Sequence, residues 1–233
     1  MDLSRRRTPQ SRNIMLVAAT CLMLGAAAPA YNSDRTDTSA VRHLENRTIF
    51  SDESPRAKLS IRGNLRFIGA QQINIHGNSQ AEQYVFAAFD RKNIVDKFYL
   101  IQFEHFLPTN RMTYDYDTMQ TTQVDDFQFR YDVKSFSGLG TLLREDQGSD
   151  GQALERLIER KHLVLPRNTV LVRMFHLPSA DRRTELMILY GEALPQNTDV
   201  PLRNGGVSLN TESPGSAEKF LAHARQGLVI RKR

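Results

Sequence analysis

The stretch Phe127-Gln-Phe-Arg-Tyr-Asp-Val-Lys134 alternates apolar and polar side chains without a break. Successive side chains of a β-strand point to opposite faces of the sheet, so a period of two is typical of a strand with one buried face. The segment therefore predicts a strand with an aromatic face that contributes to a hydrophobic core and a polar face on the other side.

Other segments carry related patterns. Ile61–Ile68 alternates in nearly the same way and predicts another strand with one buried face. Segments richer in apolar residues are expected to form more central strands: Tyr84–Phe89, Phe98–Phe106, Thr169–Leu177 and Thr184–Tyr190. Short connections between successive strands favour antiparallel pairing. We therefore expect a predominantly antiparallel sheet that is curved or partly closed.

One helix is expected to pack on this sheet, at about residues 149–163. Ser149 can cap its first turn, and Gln152 stands at the capping-box distance. An apolar stripe follows at helical spacing, formed by Leu154, Leu157 and Ile158. A short second helix is expected at Ser216–Gln226. The predicted fold class is therefore α+β.

The N-terminal residues 1–30 have the three parts of a secretory signal peptide. Arginines precede an uncharged, largely apolar run from Ile14 to Ala28, and Ala28-Pro29-Ala30 offers small residues for cleavage. The run is about 15 residues long, whereas a membrane-spanning helix needs about 20. We therefore predict cleavage after Ala30, export to the periplasm or the medium, and no transmembrane segment in the mature chain. An uncleaved anchor, lipid attachment at Cys21 and a twin-arginine signal are the alternatives.

The rest of the chain divides into three regions by composition. Residues 31–58 are polar with scattered charges, which favours a flexible leader. Residues 59–194 contain the periodic segments and are expected to form a single α+β domain. Residues 195–233 combine a Pro- and Gly-rich segment with the short helix and a basic tail.

The charge distribution argues against a nucleic-acid partner. The chain has 31 Lys and Arg against 26 Asp and Glu, but residues 59–194 carry 16 basic and 17 acidic residues. A nucleic-acid-binding domain needs a clustered basic face, which this mixture does not suggest. Cys21 is the only cysteine and lies in the predicted signal peptide, so the mature chain would contain no disulfide and no cysteine nucleophile.

No sequence motif identifies a reaction. The chain lacks a Gly-x-Ser-x-Gly elbow, a phosphate-binding glycine-rich loop and a His-Glu-x-x-His motif. Ser137-Gly138-Leu139-Gly140 lacks the rest of a dinucleotide fingerprint and is interpreted as a flexible turn. Tyr114–Asp117 lacks the ligand spacing of an EF-hand and is interpreted as a solvated loop or edge strand. We therefore predict neither a cofactor nor a metal, and the oligomeric state is not indicated.

Three hypotheses for the function remain, and the first is a non-catalytic binding domain. A curved antiparallel sheet can enclose one small apolar or amphipathic ligand. The candidate lining residues are Tyr99, Phe103, His105, Phe129, Tyr131, Arg173 and His176. Arg173 interrupts an otherwise apolar strand, so it requires either an ion-pair partner or a wet cavity. The aromatic-rich sheet without a catalytic motif favours this hypothesis.

The second hypothesis is an enzyme in which His105 or His176 acts as acid or base. Glu104 or Asp132 would then supply a nearby carboxylate. The third is an envelope-associated structural or interaction protein, suggested by the polar leader and the basic tail.

Overall fold

A computed structural model of the chain describes residues 42–233. The predicted signal peptide, residues 1–30, and residues 31–41 of the predicted leader lie outside the described part. Within the described part, the fold is α+β and its sheets are antiparallel, as the periodic segments and their short connections predict. No helix of this part is both long enough and apolar enough to cross a membrane.

The described residues form twelve strands and four helices. They are β1 (Arg42–Glu45), β2 (Thr48–Ser51), β3 (Ala57–Ile61), β4 (Arg66–Ile75), β5 (Ser79–Phe89), β6 (Val95–Phe106), β7 (Gln120–Val124), β8 (Phe127–Ser137), α1 (Leu139–Glu145), α2 (Asp150–Arg160), β9 (Asn168–His176), β10 (Thr184–Ala193), β11 (Val207–Ser208), α3 (Leu209–Glu212), α4 (Pro214–Gln226) and β12 (Leu228–Lys232).

The large sheet carries the strands that the sequence predicts. Its strand order is β4-β5-β6-β10-β9-β8, and β7 and β11 both pair with β8 at one edge. The pairing of β6 with β10 joins residues that are far apart in sequence, such as Ile101 and Ile188. The other edge is β4. The predicted single strand Ile61–Ile68 is wrong: Ile61 ends β3, and a turn with Gly63 at a φ of 82° precedes β4.

The small sheet is formed by β1, β2, β3 and β12 in that order. It corrects the expectation of a flexible leader for residues 42–58, because this part forms strands whose inward side chains are buried. Ile49 and Leu59 have no exposed surface and pack in the main core. Leu228 of β12 lies opposite Ile61, so the C-terminal segment completes the same sheet.

Both faces of the large sheet are covered by other elements. One face, which includes Phe127, Phe129 and Val133, packs against the small sheet and α4. The opposite face, which includes Phe98 and Leu100, packs against α1 and α2. The buried aromatic side of β8 is therefore confirmed. Its polar side lies on the face that the helices partly cover, and this arrangement brings charged side chains into a semi-enclosed environment.

The helix α2 begins as the capping box predicts. The Ser149 hydroxyl accepts the Gln152 backbone N–H at 3.0 Å, and the Gln152 side-chain oxygen accepts the Gly148 N–H at 3.1 Å. The helix ends at Arg160 rather than at residue 163. The second predicted helix corresponds to α4. The Ser137–Gly140 segment, predicted to be a turn, instead leads into α1, which packs beside α2.

Candidate functional site

The predicted lining residues fall into four groups with different surroundings. Tyr99, Phe103 and Phe129 are at most 3% exposed and lie in the core between the two sheets. The Tyr99 hydroxyl donates to the carbonyl oxygen of Ala224 at 2.7 Å, which ties β6 to α4. These three aromatic side chains therefore fill the interior that the sequence suggests as a ligand cavity.

The two candidate histidines lie on the same sheet face but on β6 and β9, with β10 between them. His105 is exposed at the end of β6. His176 is partly buried, its Nδ1 lies 2.9 Å from the Gln128 carbonyl oxygen, and its ring packs edge-on against Phe127. Burial is the main cause that lowers the pKa of His176. Glu104 points to the opposite face, so the structure does not bring it to His105.

Arg173 lies on the helix-covered face, away from the other candidates. Its guanidinium binds Asp132, the directly opposite residue of β8, through two hydrogen bonds, one of them 2.8 Å long from Nε to Oδ1. Both side chains are largely buried. The structure therefore assigns Arg173 to an ion pair.

Tyr131 differs from the other predicted lining residues because it lines a cavity of the structure. A groove of about 410 Å³ lies between the β7–β8 edge of the large sheet and the segment that contains α3 and α4. Its lining residues are Gln120, Thr121, Tyr131, Asn210, Pro214, Ala217 and Glu218. Apart from Tyr131, these residues carry no sequence motif, because they come from two regions that only the fold joins.

The groove has a preorganised polar wall. The Tyr131 hydroxyl donates to the Gln120 side-chain oxygen at 2.7 Å, and the Asn210 amide donates to the same oxygen at 2.8 Å. The Asn210 side-chain oxygen accepts the backbone N–H of Val133 at 2.7 Å, which fixes the amide on β8. The Gln120 side chain also carries an amide nitrogen that can donate to a ligand in the groove.

The remaining groove surface combines an apolar part with one carboxylate. The Tyr131 ring, Pro214 and the buried Ala217 provide apolar contact area. Glu218 adds a formal negative charge, and burial together with this charge raises the pKa of Tyr131. A smaller cavity of about 290 Å³ lies elsewhere, beside the β5–β6 turn and Asn64. The groove at Tyr131 is thus larger and gathers more hydrogen-bonding groups.

A buried acidic pair lies outside both cavities, on the helix-covered face of the large sheet. Glu104 of β6 and Glu185 of β10 are direct cross-strand neighbours and are 8% and 2% exposed. Burial raises the pKa of both carboxyl groups, and repulsion from Glu104 adds to the increase at Glu185. Two adjacent buried carboxyls with raised pKa values are typical of functional sites and of pH-sensitive structural elements.

Polar side chains of the large sheet donate hydrogen bonds to the Glu104 carboxylate. Its two carboxylate oxygens accept the Ser79 hydroxyl at 2.6 Å and the Gln102 amide at 2.8 Å. Gln102 in turn accepts the Gln83 amide at 2.7 Å, and Gln83 accepts the Gln71 amide at the same distance. A row of glutamines thus crosses β6, β5 and β4 under α2 and connects the acidic pair to the sheet edge.

Glu185→Gln is expected to reduce the pH dependence of stability. Because the pKa values of both glutamates are raised, the folded chain binds more protons than the unfolded chain, so the free energy of unfolding falls as the pH rises above about 4.3. Each unit of pKa increase corresponds to about 1.4 kcal/mol. Urea unfolding at pH 5 and pH 8 should therefore show a smaller loss of stability for Glu185→Gln than for the wild type.

The comparison with the wild type is needed because His176 changes the stability with pH in the direction opposite to that of the glutamates. Its lowered pKa removes stability as the pH falls below about 6.5, the unfolded value. Both proteins contain His176, so the difference between their pH profiles isolates the acidic pair. An identical pH profile for Glu185→Gln and the wild type would contradict the prediction.

Comparisons with protein-family models, curated proteins and solved structures gave no match. Within residues 42–233, no three His, Cys, Asp or Glu side chains are grouped so that they could hold a metal ion. The function must therefore be inferred from the geometry and chemistry of the groove and of the acidic pair.

Proposed function

We propose that the domain is a non-catalytic binding module for a small amphipathic ligand, and that the groove at Tyr131 is its site. The observation that carries the proposal is the convergence of an aromatic ring, side-chain amides and a carboxylate in one groove of about 410 Å³. This volume lies within the range of small-molecule sites, about 300–1,000 Å³.

The composition of the groove favours an amphipathic ligand over a purely apolar one. Gln120, Asn210 and Glu218 supply donors and acceptors that an apolar ligand would leave without partners, and an unpaired polar group costs free energy. The Tyr131 ring and Ala217 provide the apolar contact. A ligand with a hydroxyl-rich part and a short apolar part would satisfy both.

The proposal includes the curvature or partial closure of the sheet predicted from the sequence. Contacts between β12 and the β7–β8 turn support it. The Asp125 carboxylate accepts the Ile230 backbone N–H at 2.9 Å, and the Asp126 carboxylate accepts the Lys232 N–H at 3.2 Å. These bonds tie one end of the β7–β8 hairpin to the small sheet. A bent sheet edge would hold β7 towards α4 and shape the groove.

We also propose that the protein binds its ligand outside the cytoplasm. The basis is the predicted signal peptide at residues 1–30, with cleavage after Ala30. The segment with α3 and α4, which supplies one wall of the groove, lies after the predicted cleavage point and would be present in the exported chain.

Octyl glucoside is a suitable probe because it joins a hydroxyl-rich ring to an apolar chain. Titration below its micelle-forming concentration is expected to shift the side-chain amide NMR signals of Gln120 and Asn210 in a saturable manner. Tyr131→Ala should weaken this binding about tenfold, which corresponds to about 1.4 kcal/mol, because the ring and its hydroxyl are lost. The fitted dissociation constants measure the effect.

Phe67→Ala serves as the matched control for this titration. Phe67 is an exposed aromatic residue on β4, at the other edge of the large sheet. The control should bind octyl glucoside as the wild type does. Equal affinities of Tyr131→Ala and the wild type, or amide shifts that never saturate, would refute the proposed site.

A further inference from the structure

A strap of residues 107–119 covers the acidic pair. The strap connects β6 to β7 and contains no helix or strand. Its Tyr116 ring stacks on Phe175 with the centroids 4.3 Å apart, and its Tyr114 ring stacks on Phe106 at 4.4 Å. These two rings place the strap over the helix-covered face of the large sheet, where Glu104 and Glu185 lie.

The strap places one tyrosine hydroxyl beside each carboxyl. The Tyr116 hydroxyl donates to Glu185. The Tyr114 hydroxyl faces Glu104 but has no partner in hydrogen-bonding geometry among residues 42–233. A buried hydroxyl without a good hydrogen bond is destabilising, so Tyr114 holds the strap less firmly than its burial suggests.

The outer side of the strap is held by the turn between β9 and β10. The Arg182 guanidinium binds the exposed carboxylates of Asp115 and Asp117. The Arg183 guanidinium donates to the carbonyl oxygens of Leu107 and Met112 at 2.9 and 3.1 Å. The Tyr114 backbone N–H also donates to the Arg182 carbonyl oxygen at 2.9 Å. Exposed ion pairs contribute little to stability, so the strap is held mainly by this bond, by the stacked rings and by the Tyr116 hydrogen bond to Glu185.

The charges around the pair give it a net negative environment. Asp150 at the start of α2 adds to the raised pKa of both glutamates, and Asp146 lies beyond it. Arg173 is the cation that faces Glu185, and it is already bound to Asp132. Tyr114 and Tyr116 stay neutral because burial raises their pKa. Ionisation of both glutamates would thus leave uncompensated negative charge in a poorly hydrated place.

We propose that the strap is a pH-gated cover, closed while the Glu104–Glu185 pair retains a proton and open once both carboxyls are ionised. The sheet holds both glutamates in strands, so the strap is the element that can move to admit water. Opening hydrates the two carboxylates and exposes an acidic surface formed by the pair and Asp150. Closure at lower pH buries this surface again under Tyr114 and Tyr116.

Amide hydrogen exchange of the full chain, corrected for the intrinsic pH dependence of exchange, tests the proposal. Protection of peptides from residues 107–119 should fall about tenfold or more between pH 5 and pH 9, the factor that corresponds to one pKa unit. Peptides from β6 and β10 should lose less protection than the strap over the same range, because their exchange follows only the fall in the free energy of unfolding. An equal loss of protection in all three regions would mean that the strap opens only by global unfolding and would overturn the proposal.

Glu185→Gln and Glu104→Gln are the two diagnostic variants, because each removes one ionisable group and keeps the side-chain shape. Either variant should keep the strap protected at pH 9. Glu192→Gln is the matched control: Glu192 also lies on β10 and also accepts a tyrosine hydroxyl, that of Tyr190. It should retain the wild-type response. The proposal fails if strap protection in the wild type does not change with pH, or if both diagnostic variants follow the wild-type profile.

Discussion

Phe129→Ala is expected to lower the free energy of unfolding by about 3–5 kcal/mol, the usual cost of truncating a buried phenylalanine. Phe129 is 1% exposed, and its ring centroid lies 6.4 Å from that of Phe127 and 5.8 Å from the His176 ring. Truncation leaves a cavity between the two sheets that these rigid neighbours cannot fill. Urea unfolding at constant pH measures the loss.

The size of this loss distinguishes two interpretations of Phe129. A residue that lines an open ligand cavity would cost far less to truncate, because water already reaches its ring. Phe67→Ala provides the comparison, since Phe67 is 39% exposed on β4 and truncation of its side chain should change stability by less than about 1 kcal/mol. Similar losses for the two variants would contradict the packed interior described here.

Asp132→Ala is expected to lower the free energy of unfolding by about 2–3 kcal/mol, between the values typical of exposed and of buried ion pairs. The variant leaves Arg173 largely buried without its bidentate partner. The loss should appear in urea unfolding at neutral pH. Asp117→Ala, which removes an exposed partner of Arg182, should leave the stability within measurement error.

A double variant shows whether the penalty comes from the uncompensated charge. Asp132→Leu combined with Arg173→Met removes both charges and keeps apolar side chains at both positions. It should be more stable than Asp132→Ala, because no charge is then buried alone. If the double variant loses as much stability as Asp132→Ala or more, the ion pair itself, rather than the unpaired arginine, stabilises the fold.

The strands of the large sheet could be predicted because each carries its apolar–polar pattern within its own segment. The alternation from Phe127 to Lys134 requires one buried face in any fold that contains it, and β8 has that face. The start of α2 is equally local, because Ser149 and Gln152 form its cap within a single turn. Such features depend only on nearby residues, so the sequence is sufficient to predict them.

The small sheet could not be predicted because its strands depend on distant partners. β1 and β2 have four residues each, too few for a periodic signal. Their burial requires β12, which comes from the other end of the described chain and pairs with β3. Composition alone describes residues 42–58 as polar, yet alternate side chains such as Ile49 point inward.

Neither the acidic pair nor the groove could be predicted from the sequence, and the physical reason is the same for both. Glu104 and Glu185 become neighbours only when β6 pairs with β10. A signal was present, since each is an acidic residue directly beside apolar residues of its strand and needs partners if it is buried. The groove joins Tyr131 to Asn210 and Ala217, and no pattern in either segment indicates the other.

Intermolecular NOEs between octyl glucoside and the chain test the central claim, ligand binding in the groove at Tyr131, most directly. We expect NOEs from the sugar ring and the adjacent methylene groups to the Tyr131 ring and the Ala217 methyl group, which line opposite sides of the groove. NOEs confined to Ile94 and Val95 of the smaller cavity, or no NOE at a saturating probe concentration, would contradict it.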